Sequence, residues 1–392
     1  MKKEFFHTFV YYYFLVDMLQ DLFLVSSSFL LCSSIFCCIM LWVFSAKSKP
    51  KKIFALAYTI LTFFLISYSL ETYQNPQMPT EKFDFGYSII CIILAILLYA
   101  YCMVLMQAKK IDRYFILKMS VPVVLYVVLY LLFGLLQANI LHLYTTEDLW
   151  KNIQNPMLWL RIIPFVHFVI LSLYFSVQIV KMYKRHKQRI ATLFSYEEKI
   201  NLSWLPYLLG LIIIYGIATI FDMMLSGYSL ELLIVSNFSY SLIYLACALL
   251  AVNQQDIFFD VLEQEEIKLL QTEKNSTIPS NIHLQLNKKL KILMEEQKIY
   301  LNPELRLDFV VKELNTNRTY LSTVIKEDYK ENFMGFVNRY RINEAKQLLN
   351  NTENNANLSE IAEIVGFKSI SSFNTFFKRY TGKSPMEYRR FR

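Results

Sequence analysis

Seven stretches of this chain, each close to the length of a membrane crossing and nearly free of charge, precede a last third in which charged and apolar residues mix at helical spacing. They cover residues 22–44, 53–70, 86–106, 118–138, 157–180, 204–225 and 230–252. The hydrocarbon core of a bilayer is roughly 30 Å thick and a helix rises about 1.5 Å per residue, so about 20 apolar residues cross it. Backbone immersed in lipid must satisfy its own hydrogen bonds, which makes such runs helices. With 392 residues, 55% of them apolar, the chain is too apolar for one soluble domain and long enough for two. The expected class is all-α: a seven-helix transmembrane bundle over 1–252, a connector over 253–283 and a soluble helical domain over 284–392.

Lysine and arginine collect in cytoplasmic loops, so alternate loops report orientation. The first loop holds Lys47, Lys49, Lys51 and Lys52, the third Lys109, Lys110 and Arg113, and the fifth Lys181, Lys184, Arg185, Lys187, Arg189 and Lys199. The other loops hold Lys82 and Lys151 beside five carboxylates, Glu71, Glu81, Asp84, Glu147 and Asp148. The amino terminus is therefore expected outside and the carboxy-terminal domain in the cytoplasm, as in the inner membrane of a bacterium. Residues 5–16, aromatic and apolar after Lys2 and Lys3, are short for a span and lack a small-residue cleavage site, so they read as an interfacial lead-in; the alternative is an eighth span, which would put Lys2 and Lys3 inside without moving the carboxy terminus.

The same sequence excludes several chemistries. Its eight glycines, at 86, 134, 210, 216, 227, 335, 366 and 382, are nowhere closer than six residues, so neither a dinucleotide fingerprint nor a Walker loop is present. No His-Glu-x-x-His and no Gly-x-Ser-x-Gly elbow occurs. Cys32, Cys37, Cys38, Cys91, Cys102 and Cys247 all fall inside apolar runs and read as small buried hydrophobes rather than ligands or disulfides. No catalytic site, metal or cofactor is expected.

Ionisable groups inside spans are costly and mark possible function. Arg161 and Asp222 lie at similar depth near the outer ends of the fifth and sixth spans; they either form a ligand or gating pair or snorkel to the interface. His167, past Pro164, is either a proton or ligand sensor or a hydrogen-bonded packing residue. Asn237 reads as interhelical glue. Beyond the last span, residues 253–274 keep helical spacing of Ile257, Val261, Ile267 and Leu270, fit either for a homodimer contact or for a solvated helix, and residues 272–281 form a polar linker.

The last third carries the sharpest pattern. Ile361, Ala362, Ile364 and Val365 give a short helix an apolar face, Gly366-Phe367 makes a turn, and Ser369 caps a second helix whose Phe373, Phe376, Phe377 and Tyr380 face inward. The opposite face shows Ser371, Asn374, Thr375 and Lys378. That is helix-turn-helix geometry, in which the second helix offers short polar groups to base edges in the major groove. Lys368, Lys378, Arg379, Lys383, Arg389, Arg390 and Arg392 oppose Glu387 alone over the final stretch, a balance suited to phosphate.

Residues 358–390, with Ile361-Ala362, Gly366-Phe367, Phe373, Phe377-Lys378, Gly382, Ser384-Pro385 and Tyr388-Arg389, resemble the second helix-turn-helix of the AraC family of bacterial transcription regulators. Residues 305–328, with Tyr320-Leu321-Ser322, are similar to the first such motif of that family. Between them, 332–350 resembles its linking helix through Arg341-Ile342, Ala345 and Leu348-Leu349. Val311 and Lys330 stand where the family usually has alanine and glycine. The resemblance implies double-stranded DNA as partner, read by Arg318, Thr319, Ser322 and Thr323 in the first motif and by Ile370, Ser371, Asn374, Thr375 and Lys378 in the second. With lipid around the spans, the expected protein is a one-component membrane regulator whose bundle senses a signal of unknown identity, with Arg161, His167 and Asp222 as the candidate sensing residues. A membrane enzyme or transporter with a DNA-binding tail is the alternative, and release of the tail by proteolysis is a third reading.

Overall fold

The computed structural model describes residues 2–46, 48–74, 83–106, 111–136, 141, 143, 146–198, 200–225, 230–254, 279–351 and 356–390. The described elements are helical apart from an isolated antiparallel bridge between Phe194 and Arg306. Two compact units emerge, Met1–Met182 with Ser203–Asp256, and Tyr183–Leu202 with Ile257–Arg392.

The first unit contains α1 (Lys2–Phe44), α2 (Lys49–Gln74), α3 (Phe85–Leu105), α4 (Arg113–Leu136), the short α5 (Thr146–Lys151), most of α6 (Pro156–Leu193), α7 (Trp204–Leu225) and α8 (Leu230–Asn253). The lead-in before the first expected span is not a separate element, because α1 runs without a break from Lys2. Among the described residues, six segments, Met18–Phe44, Lys49–Glu71, Phe85–Leu105, Arg113–Leu135, Pro156–Leu193 and Leu233–Asn253, are long and apolar enough to cross a membrane. The remaining expected span is the 22-residue helix α7, some of whose side chains lie outside the described residues.

Helices α1, α2 and α8 pack through small and hydroxylated residues, which let backbones approach and supply hydrogen bonds between helices. Asn237 on α8 is buried and donates to Ser26 and Ser27 of α1, both at 3.1 Å, the interhelical role expected of it. Ser34 meets Thr62 at 2.7 Å, and Tyr58 donates to the Tyr244 carbonyl at 2.7 Å. The outward faces are apolar too. Leu131, Leu132 and Leu135 of α4, Phe63 of α2 and Ile170 of α6 are all exposed. This corrects one expectation about the cysteines: all six are free and Cys37, Cys102 and Cys247 are buried, but Cys32 is exposed. A thiol on an apolar outer face needs no protein cover.

The second unit holds α9 (Ser280–Glu295), α10 (Leu307–Glu313), α11 (Arg318–Tyr329), α12 (Phe333–Asn350), α13 (Leu358–Ile364), α14 (Ile370–Thr381) and α15 (Pro385–Arg390). It has two apolar cores. One gathers α9, α10, α11 and the start of α12 around Leu290, Leu307, Val310, Leu321 and Phe336. The other gathers the rest of α12 with α13 and α14 around Ile342, Ile361, Phe373 and Phe377, and it also takes in Ile190 from the end of α6 and Phe194, Tyr196 and Ile200 from between α6 and α7. The expected connector at 253–283 lies outside the described residues from 255 to 278.

Candidate DNA-reading site

The second motif starts from a capping box. Asn357 Oδ1 accepts from the amides of Ser359 and Glu360, both at 2.9 Å, and Glu360 returns a carboxylate to the Asn357 amide at 2.9 Å, which satisfies donors that a helix start leaves open. Gly366, at φ +91°, then turns the chain; a Cβ there would lie 2.6 Å from the Leu301 carbonyl oxygen and 2.8 Å from that of Tyr300. Glycine is needed for both the angle and the approach.

Ser369 caps α14, its Oγ accepting from the Ser372 amide at 3.2 Å. Phe373, Phe376 and Phe377 are buried, and Phe373 meets Phe367 and Phe377 edge-on with centroids 5.5 Å apart in each case. Burying this face turns the other to solvent, where Ile370, Ser371, Asn374, Thr375 and Lys378 are all exposed. Thr375 Oγ1 donates back to the Ser371 carbonyl at 2.9 Å, which holds its rotamer. Gly382, at φ +76°, ends the helix.

In the first motif Asn317 caps α11, accepting from the Tyr320 amide at 2.7 Å. Leu321, Val324 and Ile325 are buried, which leaves Thr319 exposed and Ser322 and Thr323 half-buried on the other side. Arg318 is less available than its position suggested, since its Nε donates to Asp308 at 2.5 Å and its side chain is 12% exposed. Lys330 accepts the left-handed turn for which glycine is usual, at φ 58° and ψ 27°. Val311 is half-buried against the first core.

Helix α12 joins the motifs. Its 18 residues give a length of about 27 Å, comparable with the roughly 34 Å of one DNA turn. Arg341, 1% exposed, fastens this helix to its surroundings: Nε donates to the Tyr300 carbonyl at 2.7 Å, Nη2 to that of Asn302 at 2.6 Å and Nη1 to Asn338 Oδ1 at 3.1 Å. Burial pushes its pKa down to about 9, so it remains cationic at neutral pH.

Three features escaped the sequence reading. Ser195 supplies Arg341 with two further acceptors, its carbonyl oxygen and its hydroxyl, each at 3.2 Å. Glu198 accepts from Ser369 Oγ at 2.9 Å. Lys368, counted for phosphate, donates to Glu304 at 3.0 Å and lies 3.8 Å over the Tyr196 ring. The aromatic residues of a basic interspan loop were the available signal.

The residues singled out for sensing fall in the first unit. Arg161 is 4% exposed, and its Nη2 reaches Tyr130 Oη at 3.4 Å. His167 Nδ1 lies 3.2 Å from Tyr126 Oη. Both partners are on α4, one helical turn apart. Asp222 is on α7, with its side chain outside the described residues.

Among known proteins, residues 310–390 match the family model of a helix-turn-helix domain. The chain is 33% identical over 107 residues to the uncharacterized transcriptional regulatory protein YesN of Bacillus subtilis, covering 27% of this chain and 28% of that one. It is 39% identical over 77 residues to the raffinose operon transcriptional regulatory protein RafR of Pediococcus pentosaceus, covering 20% and 27%. It thus spans little more than a quarter of either regulator. Among solved structures, the C-terminal domain of the two-component response regulator yesN from Fusobacterium nucleatum is 30% identical, with a TM-score of 0.24 and coverage of 26% of this chain and 98% of that domain. The carboxy-terminal domain of this chain is an AraC-type helix-turn-helix domain.

Proposed function

We propose that this protein is a membrane-embedded, one-component transcription regulator that grips promoter DNA through α11 and α14. The observation that carries the DNA half is the split of α14 into a buried phenylalanine face and an exposed face of Ile370, Ser371, Asn374, Thr375 and Lys378. Short polar groups and one apolar contact suit base edges, and Lys378 suits a phosphate. In the first motif Thr319, Ser322 and Thr323 take the same role, with Arg318 contributing after it leaves Asp308.

The apolar outer faces of α1 to α4 and α6 support embedding in lipid, because a soluble protein rarely leaves such surface to water. The inside-facing orientation rests on the lysine and arginine loops. The division into a bundle over 1–252, a connector over 253–283 and a DNA-binding domain over 284–392 remains our assignment, as does any dimer contact through 253–274. Sensing requires that a signal bind two bundle states unequally; the buried Arg161 and the His167–Tyr126 contact are where we would look for it. Unbroken helices through Pro122 and Pro164 do not favour a transporter with broken spans.

The test is direct. Full-length protein in lipid nanodiscs should retain a selected duplex, and a reporter fused after residue 392 should be active in the cytoplasm. A periplasmic reporter, or no retention of duplex at low salt, would sink the reading.

A further inference from the structure

The segment between α6 and α7, which sequence reads as a basic loop joining two spans, is built into the DNA-binding unit. Its contacts reach both motifs and the helix between them. Toward the first motif, Ser195 donates from its amide to the Leu305 carbonyl at 3.2 Å and from its hydroxyl to the same oxygen at 2.8 Å, while Phe194 bridges to Arg306 and lies 5.5 Å beneath that guanidinium. Toward the linking helix, Ser195 accepts twice from Arg341. Toward the second motif, Glu198 takes the hydroxyl hydrogen of Ser369, the cap of α14, and Tyr196 lies under Lys368. Ile190, Phe194, Tyr196 and Ile200 are each buried in the core that also holds Phe373 and Phe377. His186 Nε2, on α6, lies 3.3 Å from the Ile200 carbonyl oxygen and ties the far end of the segment back to the helix that leads into it.

From this we infer that residues 190–198 with Ile200 form a strap that fixes the spacing and tilt of the two reading motifs, and that it is the element through which the bundle controls DNA binding. The inference rests on the regulator reading given above and adds its coupling route. The physical ground is that a strap bonded to Leu305, Arg341 and Ser369 resists relative motion of the motifs, and that α6 continues without a break from the spanning sequence into the strap. Movement of α6 or α7 is transmitted to Ser195 through covalent backbone. A strap withdrawn from the seam leaves Arg341 short of two acceptors and Ser369 without its carboxylate. Two motifs freed from a common frame lose the advantage of binding two grooves together, because the second contact no longer forms at a fixed distance from the first.

The test uses full-length protein in nanodiscs and two probes: a duplex selected from a random pool by the wild type, and the same duplex with one of its two contacted grooves scrambled. Phe194→Ala, and separately Ser195→Ala combined with Glu198→Ala, should weaken binding to the intact duplex on the order of tenfold, within the range of ordinary allosteric coupling, and leave the scrambled duplex unchanged. Hydrogen exchange supplies a readout that does not depend on a variant folding: in the wild type the Ser195 amide should exchange slowly, as an amide held by Leu305. Variants that bind both duplexes as the wild type does, an equal loss on both, or rapid exchange at Ser195 in the folded protein would overturn the strap. Failure of the wild type itself to hold any duplex would instead overturn the regulator reading.

Discussion

The guanidinium of Arg341 donates from Nη1 to the Ser195 carbonyl and from Nη2 to the Ser195 hydroxyl, each at 3.2 Å, across 146 residues of sequence. With the carbonyls of Tyr300 and Asn302 and the amide oxygen of Asn338, one buried cation satisfies acceptors from three segments. Arg341→Met should therefore destabilise the DNA-binding unit by about 1–3 kcal/mol or more, since it strands several buried acceptors that the guanidinium now satisfies. Arg341→Lys should recover little of this, because a single ammonium cannot match the planar fork. Urea unfolding followed by hydrogen exchange in α12 checks both.

Two glycines with left-handed angles should respond differently to the same change. Gly366→Ala would place a methyl carbon against the fixed carbonyls of Tyr300 and Leu301, and should cost more than about 2 kcal/mol, joining a steric clash to the backbone penalty. At Gly382 nothing lies within 4 Å of the added carbon, so Gly382→Ala should cost about 1 kcal/mol from the angle alone. Equal shifts in the unfolding midpoint would contradict the close approach at residue 366.

The contrast shows what could be read from sequence. Local patterns were legible: the cap at Ser369, the turn at Gly366 and the inward phenylalanines follow from short-range rules about caps, left-handed angles and helical period. The capping box of α13 was not read in advance, because the reciprocal bond of Asn357 with Glu360 shows only once the helix start is fixed. Arg318 was legible as a position on α11 but not as a partner of Asp308, a contact across the motif's own turn. The strap was illegible for a stronger reason. Ser195 and Leu305 are 110 residues apart, and no periodicity connects an interspan loop to a core so distant in sequence.

Acid should weaken the first core through Glu344. Burial pushes its carboxyl up, but the hydrogen bonds from Lys298 and Tyr300 outweigh that and hold it below its ordinary value of 4.5. A depressed folded value means the stabilisation is complete above 4.5 and is lost as pH falls through the folded value. Glu344→Gln should lower stability at pH 7 and flatten the acid limb of the stability profile. An unchanged limb in acid titrations followed by tyrosine fluorescence would contradict the assignment.

On DNA, the exposed residues of α14 should separate by role. Ser371→Ala and Thr375→Ala should relax sequence preference, each costing about 1–3 kcal/mol on the selected duplex and little on random DNA. Lys378→Ala should weaken all duplexes alike and reduce the salt slope by about 1. Uniform losses for all three on both kinds of DNA would refute the division between base and phosphate contacts.

The account stands or falls on whether the full-length chain holds duplex DNA while it sits in the membrane. Crosslinking in intact cells, followed by washing of the membrane fraction and sequencing of the DNA that stays with the protein, measures this. Discrete genomic sites should be enriched with the full-length membrane species and lost when Ser371, Thr375 and Lys378 are all changed to alanine. Full-length protein in the soluble fraction, or membrane-held protein with no enriched sites, would contradict it.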